Sequence, residues 1–133
     1  MQTSRTIGSA SGHKLERWRK LARSAAQQSG RRTVPEIESP LSFGDLVARI
    51  PEFDAAVLAW ELATASLRDT LRGLSSARSV LAIVGPEGGL SHAEAEAAVG
   101  AGAHAVSLGS RILRTETAPL VFLTALLYEG GEL

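Results

Sequence analysis

The chain has 133 residues, with 14 basic and 14 acidic side chains that balance to a net charge of zero, 44% hydrophobic residues and no cysteine. That length suits one globular domain with a substantial core. The missing cysteines exclude a disulfide framework and any thiolate metal site, and they suit a reducing cytoplasm. The three histidines are far apart and suggest no metal centre, and no apolar run approaches bilayer length, so no membrane partner is expected.

Charge is not evenly spread. The first 32 residues carry Arg5, Lys14, Arg17, Arg19, Lys20, Arg23, Arg31 and Arg32 against Glu16 alone, a balance of +7, and the remaining 101 carry −7. Residues 1–12 are small and polar and read as a loop. A helix is expected next, because Leu15, Trp18, Leu21, Ala22, Ala25, Ala26 and Ser29 recur at three and four residues, and Gly30 suits its end. Arg5, Lys14, Arg17, Lys20, Arg23, Arg31 and Arg32 are candidate contacts for an anionic partner, RNA being favoured, since the acids that would make a mixed surface are missing. The plain alternative is an ordinary solvated face. No aromatic residues interleave with these bases, so base stacking by this face is not expected.

Thr33–Ile37 is a candidate strand, confined to a sheet edge by Pro35. Ser42 and Asp45 mark a helix start, with Pro51 closing that element, and Ala55–Trp60 reads as a buried strand. Ser66 and Asp69 start a brief helix that leaves at Gly73. Val80–Val84 is an unbroken apolar run, which predicts a strand buried on both faces, as in a parallel sheet. It runs into Gly85, Pro86, Glu87, Gly88 and Gly89, a turn whose backbone can approach a ligand or another loop closely. Ser91 and Glu94 then have the spacing of a capping box. Neither a P-loop nor a dinucleotide fingerprint is present.

An alanine-rich helix over 92–101 follows, then a strand over His104–Leu108 that Gly109 ends. Thr115 reads as the cap of a final helix over about Glu116–Tyr128, with Pro119 tolerated in its first turn. The broad apolar surface at Leu120, Val121, Phe122 and Leu123 predicts homodimerisation, burial within the monomer being the alternative. Strands near 33, 55, 80 and 104, alternating with helices, predict an α/β fold with a mostly parallel sheet and helices on both faces. The last two strands are consecutive and are expected to be neighbours, so that both following loops open at one end of the sheet.

IVGPEGGLS, then VSLGSRILRTETA about twenty residues later, with LERWRKLARSAAQQSGRRTVPEI upstream, resemble the bacterial small-subunit ribosomal RNA uridine-N3 methyltransferases, the RsmE-type members of the SPOUT class. The resemblance runs from about Arg5 to the C-terminus. It implies a trefoil-knotted methyltransferase domain, a homodimer, S-adenosylmethionine as cofactor and small-subunit ribosomal RNA or the assembled subunit as partner. It also implies that the family's β-barrel RNA-binding domain, and the first strand and helix of its methyltransferase domain, precede the residues matched here.

On that basis backbone groups of Gly85, Gly88, Gly89, Leu108, Gly109, Ile112 and Leu113 are the cofactor candidates, with Leu108, Ile112 and Leu113 offering apolar surface to the adenine. For Ile112 and Leu113 a place in the core is the competing expectation. Glu87 could accept from cofactor or target. Arg114 is the candidate for holding RNA phosphate or the target base, because guanidinium is a forked and permanent cation. Glu116 could act in catalysis or simply favour a helix start. Two other readings stay open: an RNA-binding or dimer-forming remnant without activity, and a different small-ligand binder using the same loops.

Overall fold

The computed structural model describes residues 12–133. The elements run in order α1 (Gly12–Gln28), α2 (Phe43–Arg49) with a 3-10 turn at Ile50–Glu52, β1 (Ala55–Ala59), α3 (Leu67–Gly73), β2 (Val80–Val84), α4 (His92–Gly100), β3 (Ala103–Val106) and α5 (Ala118–Glu129).

The three strands form one parallel sheet in the order β2-β1-β3. This corrects the expected adjacency of β2 and β3. The strand with two partners is β1, paired with Val80–Val84 on one side and Ala103–Val106 on the other, and its first four residues are all buried. In β2, which has one partner among the described residues, only Leu81 and Ile83 are buried. A strand flanked on both edges and covered on both faces has no route to water, which is why Val57 and Leu58 are fully inaccessible.

Alternation along the strands divides the core. Ala56, Leu58, Leu81, Ile83 and Ala103 point to one face, where Phe43 and Leu46 of α2 and Ala95 and Ala98 of α4 cover them. Val57 and Val106 point to the other, against Leu71 of α3 and Phe122 of α5. Helices therefore lie on both faces, as composition and pattern predict. The connection β1-α3-β2 and the connection β2-α4-β3 travel across the sheet in opposite directions. With crossovers of one hand, that reversal puts their helices on opposite faces.

The strand expected over Thr33–Ile37 does not form. Pro35 has no N–H for a ladder, Thr33 to Glu36 are exposed, and the segment is tied instead to α1, where Arg19 Nε donates to the Ile37 carbonyl at 3.1 Å. On α1 itself only Ala26 is buried; Leu15, Trp18 and Ala22 are half-buried, and Leu21 and Ala25 are exposed. The last helix also starts later than expected. Were Glu116 its first residue, Pro119 would fall where an intrahelical N–H is required; with Ala118 first, the proline lies in the first two positions, where no such donor is needed. Thr117, not Thr115, takes the cap position, and the Arg114 carbonyl accepts from the N–H groups of Thr117 and Ala118, both at 2.9 Å.

The other local signals fold as read. Ser42 and Ser66 accept from the N–H groups of Asp45 and Asp69, and Ser91 with Glu94 forms the reciprocal capping box at 3.1 and 2.8 Å. At the amino ends of β1 and β2, Asp54 Oδ2 accepts from the N–H groups of Arg78 at 2.8 Å and Ser79 at 3.1 Å, while Ser79 Oγ accepts from the N–H of Asp54 at 3.0 Å. These donors hold the Asp54 carboxyl below its ordinary value of 3.8.

A candidate cofactor cleft at the strand carboxyl ends

All three strands point their carboxyl ends the same way, and there a cleft of about 220 Å³ opens. In a parallel α/β sheet ligands collect at such ends, above all where neighbouring strands send their chains to opposite faces. That condition is met between β1, which leads to α3, and β2, which leads to α4 on the other face.

The turn after β2 forms one wall. Gly89 N–H donates to the Pro86 carbonyl at 2.8 Å, and Gly89 has φ +71°, which disfavours any residue with a Cβ. At Gly85 the restriction is packing. An added Cβ would sit 3.1 Å from Leu90 Cγ, 3.2 Å from Leu90 N and 3.3 Å from the Gly89 carbonyl carbon. The loop after β3 forms the facing wall. Ser107 Oγ both accepts from the Gly109 N–H at 3.2 Å and donates to its carbonyl at 3.0 Å, and Gly109, at φ +116°, has nothing within 4 Å of its missing Cβ. The backbone there is open to a ligand.

Of the residues singled out in the sequence, Gly85, Glu87, Gly89, Leu108, Gly109, Ile112 and Leu113 line this cleft. Ile112 is 89% exposed, which overturns the competing expectation that it belongs to the core; Leu113 is half-buried. Gly88, Arg114 and Glu116 are exposed and are not part of the lining, whereas Arg111 is. On α1, Lys14, Arg17, Lys20 and Arg23 are exposed, as are Arg31 and Arg32 beyond it, and Lys14 Nζ lies 5.3 Å from the Trp18 ring centre. Arg5 lies outside the described residues.

The sequence did not reveal the third contributor, the end of β1. Ala59, Trp60 and Glu61 line the cleft between the two loops. Trp60 N–H donates to the Val106 carbonyl at 3.0 Å, its ring meets His92 edge to face at 5.1 Å, and its Nε1 is buried without a partner among the described residues. Glu61 is exposed, and its Oε1 lies 3.2 Å from the position a Cβ on Gly89 would take. The signal that would have found them is the strand order, since the middle strand ends between the loops of its neighbours. A larger cavity of about 530 Å³ lies elsewhere, between α1 and residues 36–41, lined by Trp18, Ile37, Leu41 and Phe53 and rimmed by Glu38 paired with Arg49. It includes neither glycine turn.

A parallel α/β domain with a glycine-bearing cleft at its strand ends has the architecture of small-ligand binding domains of the nucleotide or cofactor type. The comparisons make that class specific: this chain belongs to the family described as the RNA methyltransferase domain, whose model matches residues 1–127. It is 40% identical over 121 residues to ribosomal RNA small subunit methyltransferase E of Bacillus subtilis, covering 87% of this chain and 47% of that protein. To the Mycobacterium tuberculosis protein of the same name it is 43% identical over 115 residues, covering 84% and 43%. A crystal structure of the Neisseria gonorrhoeae ribosomal RNA small subunit methyltransferase E bound to S-adenosyl methionine superposes with a TM-score of 0.78 at 35% identity, over 87% of this chain and 48% of that one. A putative methyltransferase from Legionella pneumophila, also in complex with that cofactor, gives 0.75 at 29% identity, over 87% and 46%. The chain thus spans about half the length of the relatives it matches.

Proposed function

We propose that this chain is the cofactor-binding and methyl-transferring part of a small-subunit ribosomal RNA methyltransferase that uses S-adenosylmethionine and modifies N3 of a uridine. The observation that carries the reading is the convergence of the turn 85–89 and the loop 107–113 on one cleft, in a fold shared with cofactor-bound relatives. The residues suit the group. Gly85 lets the turn close tightly on Leu90 and Gly89 lets it pass close to Glu61, the space over Gly109 is open, and Leu108, Ile112 and Leu113 offer apolar surface to an adenine.

When bound, the cofactor supplies an electrophilic methyl group on a sulfonium. The work left to this chain is to hold donor and acceptor in line and to keep water out. Ile112, standing in solvent beside the cleft, gains an apolar partner when the cleft fills. Arg111 borders the cleft, and Arg114, whose carbonyl anchors the turn into α5, is exposed near it in sequence; both can meet RNA phosphate or the target base. Glu116 is exposed two residues before α5, where its charge favours the helix start. The bases of α1 supply further phosphate contacts. The same reading includes a cytoplasmic homodimer joined through α5, where Leu120 is 68% and Leu123 54% exposed, and the knotted topology implied by the motifs.

The test has two parts. Calorimetric titration with S-adenosylhomocysteine should show one site per chain. Radiolabelled methyl transfer to undermethylated small subunits is then measured for this chain and for its fusion to the amino-terminal half of a full-length relative. Binding with methylation by at least the fusion is the expected result. Binding without methylation by either would favour the remnant, and absence of binding would refute the reading.

A further inference from the structure

We propose that Glu61 is the ribose-recognising residue of the cleft, its carboxylate accepting from the two hydroxyls of the cofactor's sugar and so selecting a ribonucleoside. The inference rests on the cofactor reading above and deepens it. Glu61 lies two residues beyond the end of β1, at the crevice where β1 and β2 send their chains to opposite faces. Its Oε1 lies over Gly89, at 3.2 Å from the position of the missing Cβ, so the carboxylate stands directly beside the glycine turn.

The carboxylate has neither an ion-pair nor a hydrogen-bond partner among the described residues. The cleft presents apolar surface from Ala59, Trp60, Val84, Leu90 and Leu108, and Arg111, the one cation of its lining among the described residues, forms no ion pair with Glu61. Filling such a cleft strips water from the carboxylate, a loss that a ligand bringing donors of its own recovers. Vicinal hydroxyls bring two, spaced for the two oxygens of one carboxylate. In dinucleotide-binding sheets an acidic residue near the glycine-rich turn, on the neighbouring strand, accepts from ribose in this way; the residues of this chain reach the same placement without that fold's sequence fingerprint.

The experiment titrates the full chain, and its E61A and E61Q variants, with S-adenosylhomocysteine and with its 2′,3′-dideoxy analogue. Circular dichroism confirms the fold; Glu61 is exposed, so little change is expected. In the parent, removing the hydroxyls should weaken binding by about 10- to 100-fold, the range for hydrogen bonds to a charged group. In E61A the natural ligand should weaken by a similar factor and the dideoxy penalty shrink below about threefold, since each half of the pair is worth little without the other. E61Q should fall between. A dideoxy penalty that persists in E61A overturns the proposal, as does a changed ratio of S-adenosylmethionine to S-adenosylhomocysteine affinity, which would place the carboxylate at the sulfonium. No binding by the parent would overturn the cofactor reading itself.

Discussion

Gly85→Ala tests whether the turn after β2 is held as closely as its geometry requires. The added methyl would lie 3.1 Å from Leu90 Cγ, 3.2 Å from Leu90 N and 3.3 Å from the Gly89 carbonyl carbon, and two of those three atoms are backbone. Leu90 is buried and belongs to the core beneath α2 and α4, so it has no room to retreat, and the turn must move outward by a few tenths of an ångström. Overpacking of this kind costs about 1–3 kcal/mol. For a chain of this size each kcal/mol shifts the melting temperature by roughly 3–5 °C. The displaced turn should also weaken S-adenosylhomocysteine binding by more than the loss of stability explains. Gly73→Ala is the control. It lies in α3 with nothing within 4 Å of its missing Cβ, and should gain about 0.5–1 kcal/mol. Thermal unfolding followed by circular dichroism, together with calorimetric titration, reads both. A Gly85→Ala protein with the parent's melting temperature and affinity would refute the argument from close approach.

Ser91→Ala removes half of the capping box that holds the exit of the same turn, and should lower the urea midpoint by an amount equivalent to about 1 kcal/mol with an unchanged m-value; an unchanged midpoint would count against it. Asp54→Asn should destabilise the protein at neutral pH. Because the folded carboxyl titrates below its ordinary 3.8, its contribution is fully present above that value and is lost as pH falls through the depressed one, so the two proteins should converge in acid. A difference that is constant across that window would refute the assignment. Replacing Arg17 and Lys20 together by Gln should reduce the slope of log affinity against log salt for single-stranded RNA by about 1.4, at roughly 0.7 per phosphate contact. A slope that does not move would return the basic face of α1 to the status of a solvated surface. Leu123→Glu on exposed α5 should shift sedimentation from dimer to monomer, and a parent chain that is monomeric at every concentration would dispose of the dimer.

What the sequence disclosed is what short-range chemistry decides. Ser42, Ser66 and Ser91 cap the helices they precede, because the partner is three residues away. The runs at 55, 80 and 104 became strands because apolar residues of that length have few other options. Strand order was not legible. Val80–Val84 reads as a strand buried on both faces and neighbouring the one near 104, yet the strand with two partners is the alanine-rich Ala55–Ala59, where small side chains let helices pack closely on both faces. Glu61 escaped for the same reason. A lone acid after a strand reads as a turn residue until the strand is known to lie between two glycine-bearing loops. The span 33–37 failed on a balance that runs the other way, its β-favouring Thr and Val outweighed by one proline and by a tie to α1.

The clasp at Asp54 and Ser79 makes the pairing of β1 with β2 mechanically one-sided. Four hydrogen bonds join the amino ends of β1 and β2, among them Ala55 N–H to the Ser79 carbonyl at 3.2 Å, whereas the ties at the cleft end, Trp60 N–H to the Val106 carbonyl and Ser107 N–H to the Ala65 carbonyl, run to the β3 side and not to β2. The clasped end is therefore the pivot, and amide exchange should slow toward it and quicken toward the cleft. Over the five residues of β2, about 17 Å of strand, a tilt of roughly 4° about that pivot carries the glycine turn through about 1 Å. That is several times the clearance at issue around Gly85, so a tilt of that size at the clasped end would be enough to loosen or tighten the cleft.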